Sequence, residues 1–286
     1  MNFGGTISAN SSVNSARTYT LQGNGHFYLA GSIQNGNAPT VSLNKTNAGT
    51  LTIAGNSTFS GATTNWRGNL VVNGGLASSL TVISGTLSGN GTIGGATLVQ
   101  SGATLAPGSS IGRLTFNNSL TLLSGSATFL EISKSPVTND QVKVSGTLNF
   151  GGILTVTNLG GTLLAGDSFK LFDATGYSGA FTAFNLPSLL NGLAWQTNAL
   201  TNGVLAVVAA VAPAFTNIVT TLDRQVILNG LGAPGQNYEL DAATNLVPPI
   251  FWDFLTNLVA DTNGMFRCTD GQHVDLPQRF YRILSP

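Results

Sequence analysis

From Ala48 to Gly108 the chain writes one short unit over and over: apolar residues alternating with threonine, closed by glycine, asparagine or serine, with almost no charge. It reads Gly-Thr-Leu-Thr-Ile-Ala-Gly-Asn-Ser-Thr-Phe-Ser-Gly over 49–61 and Gly-Asn-Leu-Val-Val-Asn-Gly over 68–74. Leu-Thr-Val follows at 80–82, Gly-Thr-Leu-Ser-Gly at 85–89, and Gly-Ala-Thr-Leu at both 95–98 and 102–105. Alternation at period two marks a strand with one buried face, and the glycines and asparagines between units supply sharp corners, asparagine because it tolerates the left-handed conformation. Strands this short cannot bury enough alone, so they must stack on copies of themselves. The architecture that does this is a parallel β-helix, in which each coil lies about 4.8 Å above the last and inward side chains form columns. The alternation predicts Leu51, Ile53, Leu70, Val72, Leu80, Val82, Leu98 and Leu105 on the inner face. Coils of roughly 20 to 25 residues give on the order of nine coils and a rod of about 40 Å.

The same residues carry a family resemblance. Lys45-Thr46-Asn47-Ala48-Gly49-Thr50-Leu51-Thr52-Ile53-Ala54-Gly55-Asn56-Ser57-Thr58-Phe59-Ser60-Gly61 resembles the autotransporter-associated β-strand repeat, also called the passenger-associated transport repeat, of large bacterial surface and secreted proteins. Gly89-Asn90-Gly91-Thr92-Ile93-Gly94-Gly95 and Gly102-Ala103-Thr104-Leu105-Ala106-Pro107-Gly108 resemble that family's closing segment, and looser versions run over residues 1–212. Trp66-Arg67 departs from the small residues usual there. The resemblance implies a right-handed β-helical passenger exposed outside a bacterial cell or on its outer membrane. It implies no particular activity, because such repeats serve as stalks, adhesins and scaffolds.

Composition agrees with an ordered β chain. Charged residues are only 8% and glycines number 36, but apolar residues make up 42% and recur at strand spacing, which separates this chain from disordered low-complexity sequence. Net charge is zero, which removes electrostatic capture of nucleic acid or an anionic membrane from the expectations. A single cysteine, Cys268, permits no internal disulfide. No basic segment followed by an apolar run opens the chain, so an exported form is expected to be a piece of a longer precursor. The longest apolar run, 204–212, is too short to span a bilayer.

Past Ala212 the character changes. Seven of the eleven acids fall in 213–286 with four bases, so that segment is −3 and residues 1–212 are +3. The expected division is a parallel β-helix over 1–212 and a small antiparallel β-sandwich over 213–286. Its strands are predicted at 218–222, 225–231, 237–242, 251–255, 258–259, 265–269 and 279–284, with Asn263-Gly264 as a hairpin turn. Gly235-Gln236-Asn237-Tyr238-Glu239-Leu240, Thr244-Asn245-Leu246 and Arg279-Phe280-Tyr281-Arg282 resemble a C-terminal β-module of bacterial exoproteins.

Motifs with chemistry in them are few. Gly89-x-Gly91-x-x-Gly94 matches the dinucleotide fingerprint, but no helix start follows it and the first acid of the chain is Glu131. Asp261-Thr262-Asn263-Gly264 with Asp270 opens like a calcium loop, yet Gln272 stands where the closing Glu is needed. His26 and His273 have no metal-ligand partner at short spacing, and Cys268 reads as a packed small residue. Tyr19, Tyr28, Trp66 and Trp195 would form a sugar-stacking strip if they shared one face. The one polar cluster that an enzyme could use is Glu131, Lys134, Asp140 and Lys143, whose alternation places Glu131 and Lys143 outward as an exposed ion pair. The expectation is a non-catalytic surface or secreted structural passenger, with no catalytic, cofactor or metal residues. An extracellular polysaccharide or matrix component is the expected partner, and the alternatives are a carbohydrate-active β-helix enzyme, lyase or glycosidase, or a carbohydrate-binding module.

Overall fold

The computed structural model describes residues 1–9, 15–261, 263–271 and 276–284. They are strands and connections throughout, apart from one 3₁₀ turn at Asn198–Asn202. The chain divides into two compact units, Met1–Leu190 with Trp195–Val208, and Asn191–Ala194 with Ala209–Pro286.

The first unit is a parallel β-solenoid. A typical coil places three short strands around a triangle: Thr50–Ile53, Asn56–Ser57 and Thr63–Asn65, followed one coil later by Asn69–Val72, Gly75–Leu76 and Leu80–Val82. Each pairs in parallel with its counterpart above and below. The first side of the triangle forms one sheet. The other two sides merge into a second where Gln141–Phe150 runs through both ladders as one long strand.

Register turns the period-two pattern into interior columns. On the first side Phe27, Leu51, Leu70, Leu87, Leu105 and Thr128 stand over one another, and the four leucines are fully buried or nearly so. Burying each leucine contributes roughly 1.5–3 kcal/mol, and no coil could collect this contribution without its neighbours. Corners vary more than strands do. The partner of Asn69 lies 17 positions on at Thr86, whereas that of Ile153 lies 30 on at Ala183, a wider range than the 20 to 25 expected, because the ladder constrains only the strands.

Two details correct the sequence reading. Leu98 is not an inward residue: Thr97 and Val99 are buried and Leu98 is half-exposed, because Thr97 stacks between Leu80 and Leu120, and Val99 between Val82 and Leu122. The same four letters at 102–105 lie in the opposite phase, with Ala103 and Leu105 inward. Asparagine does not supply the left-handed corners either. Among the described residues every positive φ belongs to glycine except that of Arg224. Asparagines act through their side chains, as where Asn90 Oδ1 accepts from Arg113 N–H (3.0 Å) and Asn73 Oδ1 from Asn90 N–H (3.2 Å) in adjacent coils.

The second unit holds two three-stranded antiparallel sheets. One orders Ala214–Thr220, Val226–Leu231 and Met265–Asp270, and the other Asp253–Val259, Asn237–Ala243 and Phe280–Leu284. Their core is Val226, Leu228, Tyr238, Leu240, Leu258, Ala260 and Phe266. The predicted strands at 251–255 and 258–259 are one continuous strand, Asp253–Val259. Asn263-Gly264 does not close a hairpin of paired neighbours. The turn carries the chain from one sheet to the other, held by Asp261, whose Oδ1 accepts from the N–H groups of Asn263 (2.8 Å) and Met265 (2.9 Å).

Candidate functional site

Asp140 is the centre of the polar cluster. It sits at the end of Val137–Asn139, the return strand that folds back on Ala127–Lys134, and is 2% exposed. Gly112 N–H donates to its Oδ1 and Glu131 N–H to its Oδ2, each at 2.7 Å, while Asp140 N–H donates to Glu131 O at 2.8 Å. The carboxylate therefore fastens the two sheets at this level. Burial, helped by the Glu131 charge, pushes its pKa up to about 6 against the pull of both N–H donors.

The rest of the cluster does not assemble. Glu131 lies on the first sheet and Lys143 on the second, so the exposed ion pair expected between them is not made, and the Glu131 Oε2 is buried without a hydrogen-bond partner. Lys134 instead pairs with Asp167, whose carboxyl that contact, together with the Leu164 N–H, holds below the usual carboxylate range. Four groups adjacent in sequence order thus take up separate structural duties, because the return strand and the corner after it separate their side chains.

The sign of the Asp140 shift yields a measurable result. A carboxyl whose folded pKa is raised contributes stability that is complete below its ordinary value and is lost as pH climbs through about 6. Wild-type chain is expected to lose stability relative to Asp140→Asn between pH 4 and 7, read as the difference in thermal midpoint. A flat difference across that window would show that the carboxyl is charged throughout.

The other candidates take structural places too. Gly89 and Gly91 are corner residues between Gly85–Gly89 and Thr92–Ile93, and no helix begins there. A Cβ on Gly89 would meet Val72 O at 2.2 Å, so glycine is required by the coil beneath, not by a nucleotide. His26 Nδ1 accepts from Thr50 N–H at 3.1 Å, and His273 and Gln272 lie outside the described residues. Cys268 packs against the core of the second unit, where burial and the nearby Asp270 charge push its thiol above the usual range. The four aromatics share no face: Tyr28 is on the outer face of the first sheet, Trp66 at a corner, Tyr19 against an apolar cavity of about 260 Å³ in the first coil, and Trp195 Nε1 donates to Pro187 O at 2.9 Å. Among the described residues, no group of three or more His, Cys, Asp or Glu side chains could hold a metal ion, and no helix is long and apolar enough to cross a membrane.

The sequence reading missed a buried cation. Lys45 ends Val41–Lys45 in phase with Val41 and Leu43, and it is fully enclosed, in a column with Leu21, Asn65 and Val82. Its Nζ donates to Asn47 O (2.9 Å) and Arg67 O (2.6 Å), capping corner carbonyls of two successive coils, and Asn65 Nδ2 does the same for Gly68 O and Ser84 O. Burial, and secondarily the Arg67 charge, lowers the Lys45 pKa to about 8. The signal was present in the alternation, which puts position 45 inward whatever residue occupies it. Compared with protein-family models and with curated proteins, the chain matches none.

Proposed function

We propose that this chain is a non-catalytic structural passenger of a bacterium, secreted or held at the cell surface, in which a right-handed β-helix serves as a stalk and the second unit is a small β-sandwich. The observation behind this reading is where four of the solenoid's ionisable side chains sit. Lys45 caps corner carbonyls, Asp140 fastens two sheets, and Lys134 binds Asp167. Each is engaged in holding coils together. The first 130 residues offer no carboxyl group, whereas glycoside hydrolysis uses a pair some 5 to 10 Å apart. The family resemblance at 45–61 supports an extracellular location.

Two measurements test it. Protease added to intact cells of the native host is expected to digest the chain, and full protection would refute surface display. Purified chain incubated with pectins, alginates and glucans is expected to yield no new reducing ends and no unsaturated-uronate absorbance. Turnover that disappears in Glu131→Gln would establish a β-helix enzyme instead.

A further inference from the structure

We infer that the outer face of the sheet Asp253–Val259, Asn237–Ala243 and Phe280–Leu284 is a binding site for a neutral polysaccharide, built on Asp241, Arg282, Trp252 and Phe254. The register places Phe254, Asp241 and Arg282 in one row across the three strands. Arg282 Nε and Nη2 both donate to Asp241 Oδ2, at 2.9 and 2.7 Å, and the guanidinium lies over the Trp252 ring, 4.6 Å from its centroid. Asp241 is 2% exposed and its Oδ1 has no hydrogen-bond partner, whereas the Arg282 side chain is 40% exposed. In that row Phe254 is 58% exposed, and Phe251, three residues before it in the chain, is 78% exposed.

The chemistry selects the occupant. A pyranose presents an apolar C–H face that stacks on an aromatic ring, and hydroxyls that accept from the exposed Arg282 guanidinium. An apolar protein segment laid on the same face would desolvate the exposed Arg282 guanidinium with nothing to replace water. An anionic chain such as alginate is opposed by the local balance of seven acids to four bases in 213–286. That leaves an uncharged polymer of equatorially substituted pyranoses. The ion pair fixes the guanidinium, and the guanidinium fixes the indole, so the site needs little ordering on binding.

The site goes beyond the stalk reading, which surface proteolysis tests separately. The experiment is retention of the full chain on insoluble cellulose and chitin, with soluble xylan and alginate in affinity electrophoresis. Retention on at least one neutral polymer and none by alginate is expected. Phe254→Ala, at an exposed position where folding is insensitive, is expected to weaken retention about tenfold, and Trp252→Ala by at least as much. Arg282→Lys, which keeps the charge but loses the planar fork, is expected to weaken it as well. No retention on any neutral polymer overturns the proposal, as does retention that Phe254→Ala leaves unchanged. Concentration-dependent self-association that Phe254→Ala abolishes, without polymer binding, would assign the face to a second copy of the chain and overturn it equally.

Discussion

Leu70→Asp abolishes the folded state of the coils around it, while Asn69→Asp one residue earlier leaves stability within about 0.5 kcal/mol of wild type. Leu70 is fully buried between Leu51 and Leu87, in a run of four leucines with Leu105. The substitution forfeits about 1.5–3 kcal/mol of burial and puts a carboxylate inside a leucine column, for several kcal/mol more. The sum rivals the 5–15 kcal/mol that ordinarily separates folded from unfolded chains. Damage spreads to Thr50–Ile53 and Gly85–Gly89, because a solenoid strand has no support except the strands above and below. Limited proteolysis with mass mapping reads the result, and cleavage confined to the substituted coil would show that the coils fold independently. Asn69 is exposed on the outer face, so its variant isolates the effect of facing inward from that of adding a charge.

Gly55→Val is expected to lower stability by about 3 kcal/mol or more, a drop of roughly 10 °C in thermal midpoint for a chain of this size. The reason is close approach of two backbones. A Cβ on Gly55 would lie 2.0 Å from Gly31 O and 2.6 Å from Ala30 O, and a Cβ on Gly31 would in turn lie 2.1 Å from Gly5 O. The corner is a stack of glycines, Gly5, Gly31, Gly55, Gly74 and Gly91, in which each coil's backbone rests directly on the next. Making room would break the bonds that Ala54 N–H (2.8 Å) and Gly55 N–H (3.2 Å) donate to Leu29 O. Gly25→Ala is the comparison, since a Cβ there meets nothing within 4 Å, and its midpoint is expected to stay within a few degrees of wild type. Equal midpoints for the two variants would mean that the corners separate without loss and that side-chain columns alone hold the stack.

Both results depend on features visible in the letters, but to different degrees. The alternation of Leu51, Ile53, Leu70, Val72, Leu80 and Val82 with threonine, valine and asparagine, cut every few residues by glycine, admits a stacked parallel fold and little else. Strands of this length cannot be stable unstacked.

Tertiary structure decided phase, pairing and the state of the buried charges. Gly-Ala-Thr-Leu occurs twice with opposite faces inward, because a strand's parity is set by what it stacks on: Thr97 lies between Leu80 and Leu120, while Leu105 lies over Leu87. Glu131 and Lys143 could be written as an ion pair from their spacing, yet the chain turns between them and puts them on different sheets. Asp241 is polar in the sequence and buried in the fold. A bulge after Leu240 and the cover of Arg282 give it an environment that no local pattern encodes. Period and punctuation are local properties of a chain, set by side-chain geometry over a few residues. Which face turns inward and which charge meets which partner are fixed by contacts 17 to 41 residues distant, where only the folded register brings the groups together.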